Sequence, residues 1–254
     1  RRTCRVPGSL VVGLVGPGNN GGDTLHALAL LARHGVGIAA ILTSASVHDG
    51  GLAALVAARG RVIGLVDGAP GATVGNAEAV GLCRHADVVL DGLLGLGGRG
   101  GLRDAAADLV VALTAAEEEA GTGRPLVIAV DVPSGIGVDD GTVAGPVLRA
   151  DRTVTFGVAK PGLLLVPAAG LAGRVTVVDL GLRQVLATQG RIPAVRRLTP
   201  EAAAIRWPVP GPSDHKYTRG VVGVVAGSAA YPGAAVLASA GALGAGAEIG
   251  RAHV

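Results

Sequence analysis

Gly16-Pro17-Gly18-Asn19-Asn20-Gly21-Gly22-Asp23 is the stretch on which the reading of this chain turns. It follows the apolar run Leu10 to Val15 and precedes the apolar pattern Leu25 to Leu31, which is the order strand, glycine turn, helix. Gly16, Gly18 and Gly21 match G-x-G-x-x-G in that context. Such a backbone approaches a pyrophosphate closely and turns N–H groups and the positive end of a helix dipole toward it. A nicotinamide dehydrogenase also needs an acidic residue about 20 positions on, where it grips the ribose. Residues 36 to 47 contain no Asp or Glu, which disfavours a Rossmann dehydrogenase. Asn19, Asn20 and Asp23 exceed what a plain phosphate turn requires. Their amides and carboxylate suit sugar hydroxyls or a monovalent cation, or else form an Asn-rich turn with Asp23 near a helix N-terminus.

Outward from this turn, strands and helices alternate. Gly35 to Leu42 reads as a buried strand, and Gly51 to Arg59 as a helix with Leu52, Leu55 and Val56 on one face. Arg61 to Val66 is a third strand, Asn76 to His85 a short helix, and Ala86 to Asp91 a strand ending in a carboxylate. After the glycine loop Gly95 to Gly101, Leu102 to Glu119 reads as a helix with Leu109, Val110 and Leu113 inward and Glu117 to Glu119 solvated. Pro125 to Asp131 is another strand ending in a carboxylate, inside Asp131-Val132-Pro133-Ser134-Gly135. Strands near Arg152 to Phe156 and Gly173 to Val178 follow, with no long helix between them. The sum is an α/β chain: a three-layer, Rossmann-like, mostly parallel sheet, with its chemistry at the strand ends.

Composition narrows the function classes. Of 254 residues, 49% are apolar, 43 are glycines and only 2% are aromatic, which suits short parallel strands and tightly packed helices. A net charge of +3 comes from 20 Arg and two Lys spread without a basic block, so nucleic-acid binding is unsupported. Cys4 and Cys83 form neither a metal spacing nor a disulfide framework, so both are expected reduced, in a cytoplasmic setting. No Cys/His spacing suits zinc, and His26, His34, His48 and His85 read as helix-surface residues. The uncharged stretch Gly220 to Ala247 contains Pro232 and many glycines, and reads as strand, glycine loop and helix rather than a membrane span. The chain has no Met and is expected to be a piece of a longer protein. Residues 191 to 212 are a Pro- and Arg-containing connector, and Glu248 to Val254 breaks the preceding pattern and is set aside as a sequencing artefact.

Four motifs in order, GPGNNGGD (16–23), DGLLGLGGRGGLR (91–103), DVPSGIGVDDGTVAG (131–145) and ADRTVTFGVAKPGLLLVP (150–167), resemble the NAD(P)H-hydrate epimerase or YjeF N-terminal domain family from about Leu10 to Leu182. Residues 215–247 are similar to the start of the NAD(P)H-hydrate dehydratase domain fused behind the epimerase in many bacteria. The resemblance implies an epimerase domain at 1–190 lacking the family's N-terminal helical segment, a linker at 191–212 and a truncated, ribokinase-like α/β start at 213–247. The bifunctional parent would use ADP or ATP only in the missing dehydratase domain, and without the helical layer poor solubility is expected. The implied reaction interconverts the R and S forms of NADHX or NADPHX, the hydrated cofactors, as substrates.

By the same resemblance, Asp131 is the catalytic acid/base. Asn19, Asn20, Gly21, Gly22, Asp23, Gly95, Leu96, Gly97, Gly98, Arg99, Gly100, Gly101 and Asp131 bind substrate, while Asn20, Asp91 and Ser134 hold potassium. Lys160 neutralises phosphate or carboxylate charge, or is a surface lysine. A dinucleotide partner, a full-length homo-oligomer, and no nucleic acid or membrane complete the expectation. The competing reading is a non-catalytic nucleotide- or protein-binding module on the same fold.

Overall fold

A computed structural model describes residues 8–120, 123–207, 209, 211–215, 217, 218, 220–247 and 250–253. Cys4 and the rest of the first seven residues lie outside them. The chain divides into two compact units, Arg1–Arg196 and Arg197–Val254.

The first unit is a single eight-stranded sheet flanked by helices. In chain order it contains β1 (Leu10–Val15), α1 (Asn19–Ala32), β2 (Gly37–Leu42), α2 (Asp49–Ala57), β3 (Arg61–Gly64), β4 (Ala72–Thr73) and α3 (Asn76–His85). It continues with β5 (Val88–Gly92), α4 (Asp104–Ala120), β6 (Leu126–Val130), β7 (Arg152–Phe156), β8 (Arg174–Val178) and α5 (Leu182–Thr188). The strand order is β4-β3-β2-β1-β5-β6-β7-β8, and each pairing is parallel. Strands buried on both faces explain the near-continuous apolar runs. In β1, Val12 and Leu14 join a core with Cys83 of α3 and Leu109, Val110 and Leu113 of α4. Val11 and Val15 join the opposite core with Leu25 and Leu28 of α1 and Leu55 of α2.

Three local readings change. Helix α1 begins at Asn19, so Asn19 to Asp23 are helical and the turn proper is only Gly16 to Gly18. Tertiary packing overrides the poor helix propensity of the glycines: a Cβ on Gly21 would lie 2.2 Å from the Gly16 carbonyl oxygen, and one on Gly22 2.7 Å from the His48 ring. Val56 is 57% exposed rather than sharing a buried face with Leu55, because α2 leans on α1 through Gly51, where a Cβ would sit 3.0 Å from that of Leu25. Glu117 is drawn out of solvent toward Arg124, 3.9 Å away, and burial pushes its carboxyl above the ordinary range against the pull of Arg124. His48 caps α2, its Nδ1 accepting from the Gly51 N–H at 3.0 Å.

The second unit contains α6 (Pro200–Arg206), β9 (Val222–Val225), α7 (Gly233–Gly244) and β10 (Gly250–His253). Helix α6 falls within the stretch read as a connector. Thr199 caps it by accepting from the Ala202 N–H at 3.2 Å. Strand β10, which lies within the residues set aside on sequence grounds, pairs in parallel with β9. Among the described residues no helix is long and apolar enough to cross a membrane.

Candidate active site

The chain enters the sheet at β1, runs outward through β2 to β4, and returns to the other side of β1 as β5. The carboxyl ends of β1 and β5 lie side by side, but the chain leaves them toward opposite faces of the sheet, α1 joining one core and α4 the other, and a crevice opens between the loops that follow them. The two loops touch at their bases. Gly16 N–H donates to the Gly92 carbonyl at 3.3 Å, and a Cβ on Gly16 would stand 1.9 Å from the Leu93 carbonyl oxygen. No side chain fits there, which gives the first glycine of the fingerprint its physical reason. A Cβ on Gly18 would meet nothing within 4 Å, so that glycine leaves open space.

The crevice is a cavity of about 480 Å³ lined by Pro17, Gly18, Asn19, Asn20 and Asp23 from α1 and its turn, Leu93 to Gly98 from the loop after β5, and Asp131 after β6. Gly18 is the N-cap of α1 with no side-chain cap, and the first turn carries no acidic residue. Uncapped N–H groups and the positive end of the dipole therefore meet the cavity, an arrangement suited to phosphate. Of the sequence-predicted binding residues, Asn19, Asn20, Asp23, Gly95, Leu96, Gly97, Gly98 and Asp131 come together here. Gly21 and Gly22 pack inward instead, and Arg99, Gly100 and Gly101 lie beyond the lining. Gly100 and Gly101 have φ of 73° and 86°, so this part of the loop needs glycine for its backbone.

Two hydrogen-bonded clusters border the cavity. In the first, buried Asp91 accepts the Ser134 N–H at 2.8 Å and hydroxyl at 2.5 Å. Ser134 Oγ accepts the Leu94 N–H at 2.8 Å, and the Leu94 carbonyl accepts from Asn20 Nδ2 at 3.0 Å. The three residues expected to hold potassium are thus linked through Leu94. Burial pushes the Asp91 carboxyl up, while its bonds from Ser134 and Leu93 oppose that. Every donor that reaches it is neutral, and no ion pair to it occurs among the described residues. A buried carboxylate without a cationic partner, beside hydroxyl, amide and carbonyl oxygens, fits a hard monovalent cation.

The second cluster surrounds Asp131. It is the centre of a three-residue turn closed by Val132 N–H on the Val130 carbonyl at 2.9 Å. Its φ of 69° is left-handed for a residue with a side chain, a conformation that costs on the order of 1–3 kcal/mol and gathers at functional sites. Its Oδ1 accepts from Thr155 Oγ1 at 2.9 Å, from Phe156 N–H at 3.2 Å and from the Lys160 ammonium. Lys160 is 8% exposed, which excludes the surface-lysine alternative. Sequence reasoning had not picked out Thr155 or the Leu94 carbonyl. Alternation in Arg152 to Phe156 places Thr155 near the end of a strand, a signal that becomes useful once β6 and β7 are known to be neighbours.

A model of the family described as YjeF-related protein N-terminus matches residues 2–162. The chain is 46% identical over 186 residues to an NAD(P)H-hydrate epimerase of Clavibacter sepedonicus, covering 71% of this chain and 77% of that protein. It is 42% identical over 245 residues to the bifunctional NAD(P)H-hydrate repair enzyme Nnr of Mycobacterium tuberculosis (strain ATCC 25618 / H37Rv), covering 96% of this chain but 45% of the relative. The chain therefore spans about half the length of the repair enzymes it matches. A crystal structure of yeast ynu0 shares the fold, with a TM-score of 0.52 and 20% identity over 67% of this chain and 65% of that one.

Proposed function

From the premise that this chain belongs to the family of YjeF-related protein N-termini, we propose that its cavity interconverts the R and S forms of NADHX and NADPHX. The observation that carries the reading is Asp131: one carboxylate oxygen is held by three donors, and the other takes no bond from a described residue, in a side chain that lines the cavity beside the open end of α1. The hydrated carbon of the substrate neighbours the ring nitrogen. The nitrogen lone pair expels the hydroxyl, which takes a proton from Asp131 and leaves as water. Water then returns to either face of the iminium carbon and gives its proton back to Asp131. Between these steps the carboxylate faces the cation it has helped to form.

The N-terminus of α1 and the Gly95 to Gly98 backbone suit the substrate's phosphates. Asn20, Asp91 and Ser134 are the proposed potassium ligands. The bound ion would offset the buried carboxylate and tie α1 to the loops after β5 and β6. Beyond this chain's own site, the parent protein is proposed to be a cytoplasmic, homo-oligomeric repair enzyme whose ribokinase-like dehydratase domain begins in the second unit. The test supplies R-NADHX with potassium and follows S-NADHX by chromatography beside an Asp131→Ala variant. Exchange above the spontaneous rate that disappears in the variant is expected. Equal exchange in both would remove Asp131 from the chemistry, and exchange in neither would return the cavity to a binding role.

A further inference from the structure

The sequence leaves two partners open for buried Lys160, a substrate phosphate or a carboxylate. Its three N–H bonds decide between them. They go to Asp131 Oδ1, to Thr155 Oγ1 at 2.9 Å and to the Phe156 carbonyl at 2.9 Å. An ammonium has three donors and no more, so none remains for a phosphate, and Lys160 is not among the residues lining the cavity. Thr155 closes the ring, since its hydroxyl accepts from Lys160 and donates to Asp131. The loop that brings Lys160 round is itself tightly turned, with Gly157 at a φ of 75° and Val158 N–H on the Phe156 carbonyl at 2.9 Å.

We infer that Lys160 and Thr155 are positioning residues that act through Asp131. Together with the Phe156 N–H they bind Oδ1 so that the carboxylate cannot rotate without losing three donors, and Oδ2 alone is presented to the cavity for proton exchange. The backbone turn at Asp131 points the group, and the lysine and threonine hold it there. The loss of buried charge pairing on removing one partner makes Lys160 and Asp131 interdependent.

This inference rests on the epimerase reading for its kinetic test only, and a second test does not need activity. In the full chain, Lys160→Ala is expected to lower kcat about 100-fold with KM nearly unchanged, because a misaimed carboxylate loses rate while the binding surface stays intact. Propylammonium, which replaces the three carbons and the nitrogen removed, is expected to restore kcat at least in part. Thr155→Val is expected to lower kcat about 10-fold with KM again unchanged, and it carries the kinetic test if Lys160→Ala fails to fold. Unchanged kcat in the folded variants, or a loss that no amine restores, would overturn the inference. For the second test, melting midpoints are compared for Lys160→Ala, Asp131→Asn and the double variant. The double variant is expected to melt well above the sum of the two single losses. Additive losses would overturn the clamp, whereas non-additive losses in a protein without exchange activity would uphold it and refute the epimerase reading alone.

Discussion

Gly16→Ala and Gly18→Ala separate two demands made of one turn. An alanine Cβ at position 16 would lie 1.9 Å from the Leu93 carbonyl oxygen and 2.8 Å from its carbon. Reaching even the 3.0 Å floor for such contacts requires a shift of 3.0 − 1.9 = 1.1 Å, between two backbone segments rather than flexible side-chain tips. The segment forced to move carries Leu94, whose N–H and carbonyl bind Ser134 and Asn20. Overpacking costs about 1–3 kcal/mol, and about 1 kcal/mol is added for each hydrogen bond disturbed. A loss of about 3–5 kcal/mol is expected, against a total stability of about 5–15 kcal/mol. In a domain of this size that lowers the melting midpoint by roughly 6–20 °C. A Cβ at position 18 meets nothing within 4 Å and the backbone there has a φ of −93°, which alanine adopts freely. Gly18→Ala loses only the N-cap preference of glycine over alanine, about 1 kcal/mol, and is therefore expected to melt within about 4 °C of the parent, while substrate affinity falls because the methyl enters space at the cavity wall. Thermal unfolding by circular dichroism together with ligand titration reads both effects. The reasoning is refuted if Gly16→Ala loses less than about 1 kcal/mol, or if the two variants are equally destabilised.

Two further outcomes follow from the same structure. Potassium at about ten times its dissociation constant is expected to add about 1.4 kcal/mol to stability, read as a rise of about 3–6 °C in melting midpoint over choline chloride. Asp91→Asn should abolish that rise, and an undiminished response in the variant would remove Asp91 from the cation site. Burial pushes the Cys83 thiol up to about 12, so in a Cys4→Ser background it should resist alkylation at pH 8 until the chain unfolds. Its folded form keeps a proton that the unfolded chain releases above 9.0, so this contribution is whole below that pH and is lost as pH rises toward about 12. Cys83→Ala should flatten that alkaline decline, and rapid labelling of the native protein would contradict the burial.

Much of the fold is legible because the inner strands of a parallel sheet are covered on both faces and must be apolar almost throughout. Leu10–Val15, Gly37–Leu42 and Leu126–Val130 announce themselves in that way, and the helix Asn76–His85 stands where periodicity places it. The two-residue strand Ala72–Thr73 is too short to carry a period. The start of α1 is hidden because Gly21 and Gly22 oppose helix locally and are accepted only where the Gly16 carbonyl and the His48 ring leave no room for a side chain.

For the site, sequence alone determined the inventory: the glycine turn after a buried strand, carboxylates at the ends of β5 and β6, and the absence of an acidic ribose partner. Those signals are local, carried by residue type and spacing along a few turns of chain. Which groups meet was decided by strand order. Placing β5 against β1 sets the Gly95 loop beside Asn20, and placing β7 against β6 brings Thr155 to Asp131 across 24 residues of chain. Lys160 could read as a surface lysine or as a partner of phosphate or of a carboxylate until the sheet closed around it. Once it is buried, an ammonium must spend all three of its protons on oxygen, and the nearest oxygens belong to Asp131, Thr155 and Phe156.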